Sequence, residues 1–223
     1  MIADNLNRIK YGLPSNVKLI VVSKTIPVSG IMEAYDAGQR IFGENKVQEL
    51  FSKYKELPKD IEWHMIGHLQ SNKVKNITPF VSLIHSVDSS KLLEIINKEG
   101  IKTGRVIDCL LQVHIATEET KFGFDETELE NIFKSDLFCT LKNIRIRGLM
   151  GMATFTNETL KIKNEFHKLA ELLRALKSKY FIHNDYFKEL SMGMSADYLI
   201  GIEEGSTMVR LGTSIFGERT YKK

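Results

Sequence analysis

The amino-acid sequence predicts a single (β/α)8 barrel, an α/β fold of the TIM type, built from residues 1–223 as one domain. Three observations carry this. Apolar runs of strand length alternate eight times with stretches of helical periodicity. No linker or low-complexity segment interrupts the alternation, and the chemically distinctive residues fall at the carboxyl ends of the runs. An open doubly wound sheet is the competing architecture. No G-x-G-x-x-G follows any run, so the dinucleotide fingerprint of such sheets is absent.

Apolar residues at Ile2, Leu6, Ile9 and Leu13 have helical spacing, and Pro14-Ser15-Asn16 closes that helix. Val17 to Ser23 is the first strand, apolar on both faces as a buried parallel strand requires. Pro27 suits the first turn of a helix that turns Ile31, Met32 and Ala34 inward and stops at Gly38. Ile41 to Glu44 is the second strand, and Asn45 begins a helix bearing Val47, Leu50 and Phe51. Ile61 to Ile66 is the third, followed by Gly67-His68-Leu69-Gln70 and a helix around Val74. Val81 to His85 is the fourth, after which Asp88 or Ser89 caps a helix through Leu92, Leu93, Ile95 and Ile96.

Val106 to Ile115 is the fifth strand, and Thr127-x-x-Glu130 has the capping-box pattern ahead of Ile132 and Phe133. Ile144 to Leu149 is the sixth. From about Asn157 to Tyr180 runs a helix whose stripe Ile162, Phe166, Leu169, Leu173, Leu176 and Tyr180 reads as core rather than as a partner groove. Glu189 to Ser191 is the seventh strand, Ala196 to Ile202 a short helix, and Thr207 to Leu211 the eighth strand.

Composition excludes several classes of function. With 43% hydrophobic and 26% charged residues the chain has an ordinary globular make-up. Its 31 basic and 28 acidic residues are interspersed, so the net charge of +3 marks no nucleic-acid footprint. No run approaches a membrane span, and the amino terminus has no signal-peptide h-region. Cys109 and Cys139 fit neither a C-x-x-C pair nor a ligand spacing, which points to reduced thiols, a cytoplasmic location and no metal.

Lys24 ends the first apolar run. Partial desolvation there disfavours an ammonium and frees the amine to attack a carbonyl; the plainer reading is a strand end that meets water. In a barrel, the loops after strands seven and eight often hold a phosphate. Here they read Leu190-Ser191-Met192-Gly193-Met194-Ser195 and Val209-Arg210-Leu211-Gly212-Thr213-Ser214, rich in the hydroxyls and glycines that suit an anion. Alternatively, Gly193 and Gly212 are turn residues and Ser195 caps the helix at Ala196. A lysine amine and a phosphate cradle on one face suggest pyridoxal phosphate. Arg210 then faces the pyridine nitrogen and keeps it unprotonated, the alternative being an ion pair with Glu203 or Glu204.

Several motifs carry a family resemblance: Ser23-Lys24-Thr25; Phe42-Gly43-Glu44-Asn45 with Val47-Gln48-Glu49; Trp63-His64-x-Ile66-Gly67-x-Leu69-Gln70-x-Asn72-Lys73; and Ser191-Met192-Gly193-Met194-Ser195 with Gly205-Ser206-Thr207-Met208-Val209-Arg210-x-Gly212-Thr213-x-Ile215-Phe216-Gly217. In this order they resemble the YggS/PROSC family of pyridoxal-phosphate homeostasis proteins. The resemblance implies a barrel like the amino-terminal domain of alanine racemase. It makes Lys24 the residue that forms the internal aldimine with pyridoxal 5'-phosphate. Ser195, Gly212 and Thr213 hold the phosphate, with Ser191 and Met192 as weaker candidates, Arg210 meets the ring nitrogen, and Asn45 lies beside the cofactor. Lys46 stands where relatives often carry an aromatic, and His114 where they often have asparagine; Lys46 sets a second amine near the site.

A racemase needs acid/base groups on both faces of the substrate. By the family comparison the second group in alanine racemase is a tyrosine from a partner subunit's further domain. The tyrosines at 11, 35, 54, 180, 186, 198 and 221 end no strand, while His64, His68 and His114 are alternative bases or structural hydrogen-bonding residues. The expectation is a non-enzymatic carrier of the cofactor, a monomer rather than an obligate oligomer, with apo-enzymes needing the cofactor as candidate recipients. An amino-acid racemase or another pyridoxal-phosphate enzyme acting on a small amino acid is the alternative, and a cofactor-free interaction barrel a third.

Overall fold

Side chains alternate between the two faces of a strand, and when a sheet closes on itself those faces become an inside and an outside. The computed structural model, which describes residues 1–117 and 122–218, shows this division. Eight parallel strands close in chain order: β1 (Lys18–Val22), β2 (Ile41–Glu44), β3 (Glu62–Met65), β4 (Leu83–Val87), β5 (Ile107–Val113), β6 (Ile144–Gly151), β7 (Glu189–Met194) and β8 (Met208–Leu211). β8 pairs back onto β1, with Ile20 opposite Arg210.

Inside, Ile20, Leu83, Leu110, Met150 and Met208 form a small apolar plug. Outside, Val21, Phe42, Trp63, Ile84, Leu149 and Val209 meet the helix layer in a larger core, where each fully buried Leu or Ile contributes about 1.5–3 kcal/mol. That layer comprises α1 (Ile2–Gly12), α2 (Val28–Asp36), α3 (Val47–Glu56), α4 (Ser90–Thr103), α5 (Glu126–Lys134), α6 (Asp136–Thr140), α7 (Thr159–Tyr180), α8 (Tyr198–Glu203) and α9 (Thr213–Phe216). Along α7 the buried residues include Ile162, Phe166, Leu169, Leu173 and Leu176 of the predicted core stripe, while Tyr180 at its end is partly buried.

Several boundaries differ from expectation for local reasons. β4 begins at Leu83 because Val81 still belongs to the preceding turn: its N–H donates to Ile77 O at 2.8 Å, and its carbonyl accepts from Arg105 Nη2 at 2.8 Å. A 3-10 turn, Ser71–Asn76, replaces the helix expected around Val74, and α3 starts at Val47 rather than Asn45. The capping box lies two residues early: Asp125 accepts from the Glu128 N–H at 2.7 Å and Glu128 from the Asp125 N–H at 2.9 Å. Of the two caps offered for α4, Ser89 serves, accepting from Leu92 N.

The largest difference is in β7, which continues to Met194 instead of ending at Ser191. Gly193 reads as a turn residue but is an irregularity within the strand, where the β7–β8 register shifts between Ser191 and Met194. Its φ of +94° is one that L side chains rarely adopt, and a Cβ there would lie 2.8 Å from Tyr198 Cα.

Candidate functional site at the carboxyl end of the barrel

β1 delivers Ser23 and Lys24 to the carboxyl end of the barrel, and the chain turns back at once through Thr25, whose φ of 66° is left-handed. Such a turn needs holding. Ser23 Oγ donates to Glu44 Oε1 at 2.6 Å, the Thr25 N–H donates to Glu49 Oε1 at 2.5 Å, and Lys53 Nζ donates to Ser23 O at 2.8 Å. Lys53 also reaches Glu44 Oε1 at 2.8 Å and Glu49 Oε1 at 2.7 Å. Both sides of Lys24 are therefore tied to β2 and α3, and Lys24 itself is half-buried. Burial raises the Glu44 carboxyl pKa against the opposing pull of Lys53, and Glu44 Oε2 is a buried oxygen without a hydrogen-bond partner among the described residues.

Asn45 follows β2 and is half-buried. It is positioned by the loop that follows β3: a Cβ on Gly67 would lie 2.4 Å from Asn45 O, so glycine permits the two loops to touch.

Arg210 lies on the inner side of β8, 5% exposed. Its Nη1 donates to Ser191 O at 2.8 Å and Ser191 Oγ at 2.6 Å, and its Nη2 to Gly151 O at 3.1 Å. Burial lowers its pKa to about 10, with the Asp197 charge opposing. The alternative partners are engaged elsewhere, since Glu204 meets His167 at 2.9 Å and Lys163 at 3.5 Å, and Glu203 meets Lys163 at 3.9 Å. Ser191, expected where the seventh strand passes into its loop, lies within β7, and its hydroxyl serves Arg210 and His85. Met192 places its side chain in the outer apolar core.

The remaining phosphate candidates come together. Ser195 Oγ accepts from the Gly212 N–H at 3.4 Å, joining the ends of β7 and β8, and Thr213 opens α9 with its side chain exposed. Ser195 does not cap α8; Asp197 holds that position and accepts the Met194 N–H at 2.6 Å. Lys46 is exposed.

The histidines divide. His68 meets Asp88 at 3.0 Å and stacks on Phe122 at 4.4 Å between centroids. His64 is buried and bonds His85 at 2.9 Å, and His114 is half-buried. Tyr11, Tyr35 and Tyr54 lie in α1, α2 and α3, and Tyr198 opens α8; Tyr221 falls outside the described residues. Sequence reasoning missed Lys53 and His85. Both were within reach of periodicity, since Lys53 follows Leu50 by three residues on a helix and His85 follows Leu83 by two on a strand. Among the described residues no cluster of His, Cys, Asp and Glu could hold a metal, and no helix is long and apolar enough to cross a membrane.

The model of the alanine racemase N-terminal domain family matches residues 1–220. A pyridoxal phosphate homeostasis protein from Aquifex aeolicus (strain VF5) is 42% identical over 205 residues, covering 92% of this chain and 88% of the relative. The chain belongs to the pyridoxal phosphate homeostasis protein family. A further member, from Escherichia coli (strain K12), is 36% identical over 214 residues, 94% of this chain and 89% of that one. Among solved structures, PipY of Synechococcus elongatus PCC7942 with pyridoxal phosphate bound is 37% identical, with a TM-score of 0.89 over 97% of this chain and 100% of PipY. Alanine racemase from E. faecalis is 16% identical with a TM-score of 0.72, covering 98% of this chain and 58% of the racemase, a likeness of fold alone. In this pyridoxal phosphate homeostasis protein family member, strands β7 and β8 and the loops after β1, β2, β7 and β8 carry the residues described above.

Proposed function

We propose that this chain binds pyridoxal 5'-phosphate reversibly and takes part in the homeostasis of that cofactor, without turnover of a substrate. The observation that carries the reading is the gathering of an anchored lysine loop, a buried guanidinium and the Ser195–Gly212 clasp at one end of a single barrel. The residues suit the ligand: an amine for its aldehyde, hydroxyls and N–H groups for its phosphate, and a permanent donor for its ring nitrogen. When bound, the cofactor supplies an aldehyde that condenses with an amine and releases water.

Lys24 is the residue we assign to that covalent link. Ser195, Gly212 and Thr213 take the phosphate, the main chain at Ser191 and Met192 backs their loop, and Asn45 flanks the ring. Arg210 keeps the ring nitrogen unprotonated, which weakens the cofactor as an electron sink and suits holding it over using it. The relatives are named for homeostasis rather than for a reaction, which supports the non-enzymatic reading. Apo-enzymes that need the cofactor are the recipients this reading implies, in the cytoplasm, where the unpaired Cys109 and Cys139 stay reduced.

The test is an absorption spectrum of the protein with the cofactor before and after borohydride, followed by peptide mapping. The expected result is a near-visible band whose reduced adduct maps to Lys24 and disappears in Lys24→Ala. An adduct on Lys46 or spread over surface lysines overturns the assignment. Solvent deuterium exchange at the Cα of added amino acids, lost in Lys24→Ala, would replace the carrier with a racemase-like enzyme.

A further inference from the structure

The inside of the barrel is not wholly apolar. Arg210 Nη1 lies 2.6 Å from Ser191 Oγ, Ser191 Oγ 2.9 Å from His85 Nδ1, and His85 Nε2 2.9 Å from His64 Nδ1. The four residues sit on β8, β7, β4 and β3 and are all buried. Their chain starts at the residue assigned to the ring nitrogen. It ends at His64, which lines a hollow of about 250 Å³ with Lys18, Glu62, Asp108, Arg147 and Glu189.

The direction of the chain follows from which atoms own protons. A guanidinium has donors and no acceptor, so Ser191 Oγ accepts from Arg210. The serine's own proton then belongs on His85 Nδ1. The reverse arrangement would bring a second donor onto an oxygen already facing a cation and leave the hydroxyl proton without an acceptor. His85 therefore carries its proton on Nε2 and donates to His64 Nδ1, and His64 carries its proton on Nε2. Every link runs the same way.

We propose that His85, acting through Ser191, is a positioning residue for Arg210, and that the chain from Arg210 through Ser191 and His85 to His64 is a one-way donor relay that fixes the guanidinium toward the cofactor ring. The proposal rests on the reading of Arg210 as the partner of the ring nitrogen. Ser191 is thereby an orienting group for Arg210 rather than a phosphate ligand.

Two measurements separate the relay from that reading. The first uses the protein without cofactor, labelled with 15N-histidine and assigned with His64→Gln and His85→Gln: long-range proton–nitrogen correlation reports the tautomer of each ring. The expected result is two neutral rings protonated at Nε2; a proton on His85 Nδ1 overturns the relay. The second compares His85→Leu with His85→Gln, whose amide can accept from Ser191 and donate to His64. With pyridoxal phosphate added, His85→Leu should shift the absorption maximum and weaken binding about tenfold, the scale of one hydrogen bond to a charged group, while His85→Gln keeps both. Equal behaviour of the two variants overturns the positioning role. Absence of any cofactor band in the wild-type protein would instead refute the reading of the site, leaving the tautomer result intact.

Discussion

The Lys53 ammonium lies 2.8 Å from Glu44 Oε1 and 2.8 Å from the Ser23 carbonyl oxygen, so one cation from α3 joins the end of β2 to the start of the Lys24 loop. Both side chains are out of water, at 8% and 0% exposure. Removing one partner of such a pair leaves a buried charge uncompensated. Lys53→Met should therefore destabilise the fold by about 3–5 kcal/mol in urea unfolding. Lys53→Met with Glu44→Gln should recover part of the loss, and no recovery would mean that the lysine acts through packing.

A pH dependence follows from the buried histidines. Burial, with Lys18 nearby, lowers the His64 pKa to about 3; burial, His64 and Arg210 hold His85 well below the usual histidine value. The unfolded chain binds protons to these rings near the ordinary value of 6.5 while the native state does not. Their contribution to stability is thus full above pH 6.5 and is lost progressively as pH falls toward 3. Glu44 acts with the opposite sign, because its pKa is raised on folding. The urea midpoint of the wild-type protein should fall on acidification more steeply than that of a His64→Gln, His85→Gln double variant. Parallel curves would contradict this.

Ser195 offers a test of where the phosphate sits. Ser195→Ala should weaken binding of pyridoxal phosphate roughly tenfold or more, the scale of a hydrogen bond to a charged group. Binding of pyridoxal, which lacks the phosphate, should be unchanged. Equal losses for both ligands, measured by titration, would move the phosphate away from this loop.

Gly67→Ala should force the Asn45 main chain outward, because the new methyl carbon would begin 2.4 Å from Asn45 O. Overpacking of this kind costs about 1–3 kcal/mol. Thermal unfolding should report that loss, accompanied by weaker cofactor binding; an unaffected variant would mean that the Asn45 loop gives way freely.

The barrel was legible because strand and helix periods differ and alternated without interruption; runs such as Ile20-Val21-Val22 and the α7 stripe mark a buried strand and a core-facing helix. Lys24, Asn45, Ser195, Arg210, Gly212 and Thr213 were legible as strand-end residues. The course of β7 beyond Ser191 was not, because Gly193 carries the same signal in a bulge as in a turn, and this ended the strand three residues short of Met194. The partners of the site residues were also hidden. Nothing local in the sequence joins Lys53 to Ser23, 30 residues away, or His85 to Ser191, 106 residues away; closure of the sheet brings them together.

That closure also governs how the molecule meets others. With β8 bonded to β1, the sheet has no terminal strand whose N–H and C=O groups await another chain. Neither a neighbouring copy nor an extended peptide can lengthen it. Any partner of this protein must therefore recognise loops and helix surfaces, and docking there need not disturb a single backbone hydrogen bond of the barrel wall.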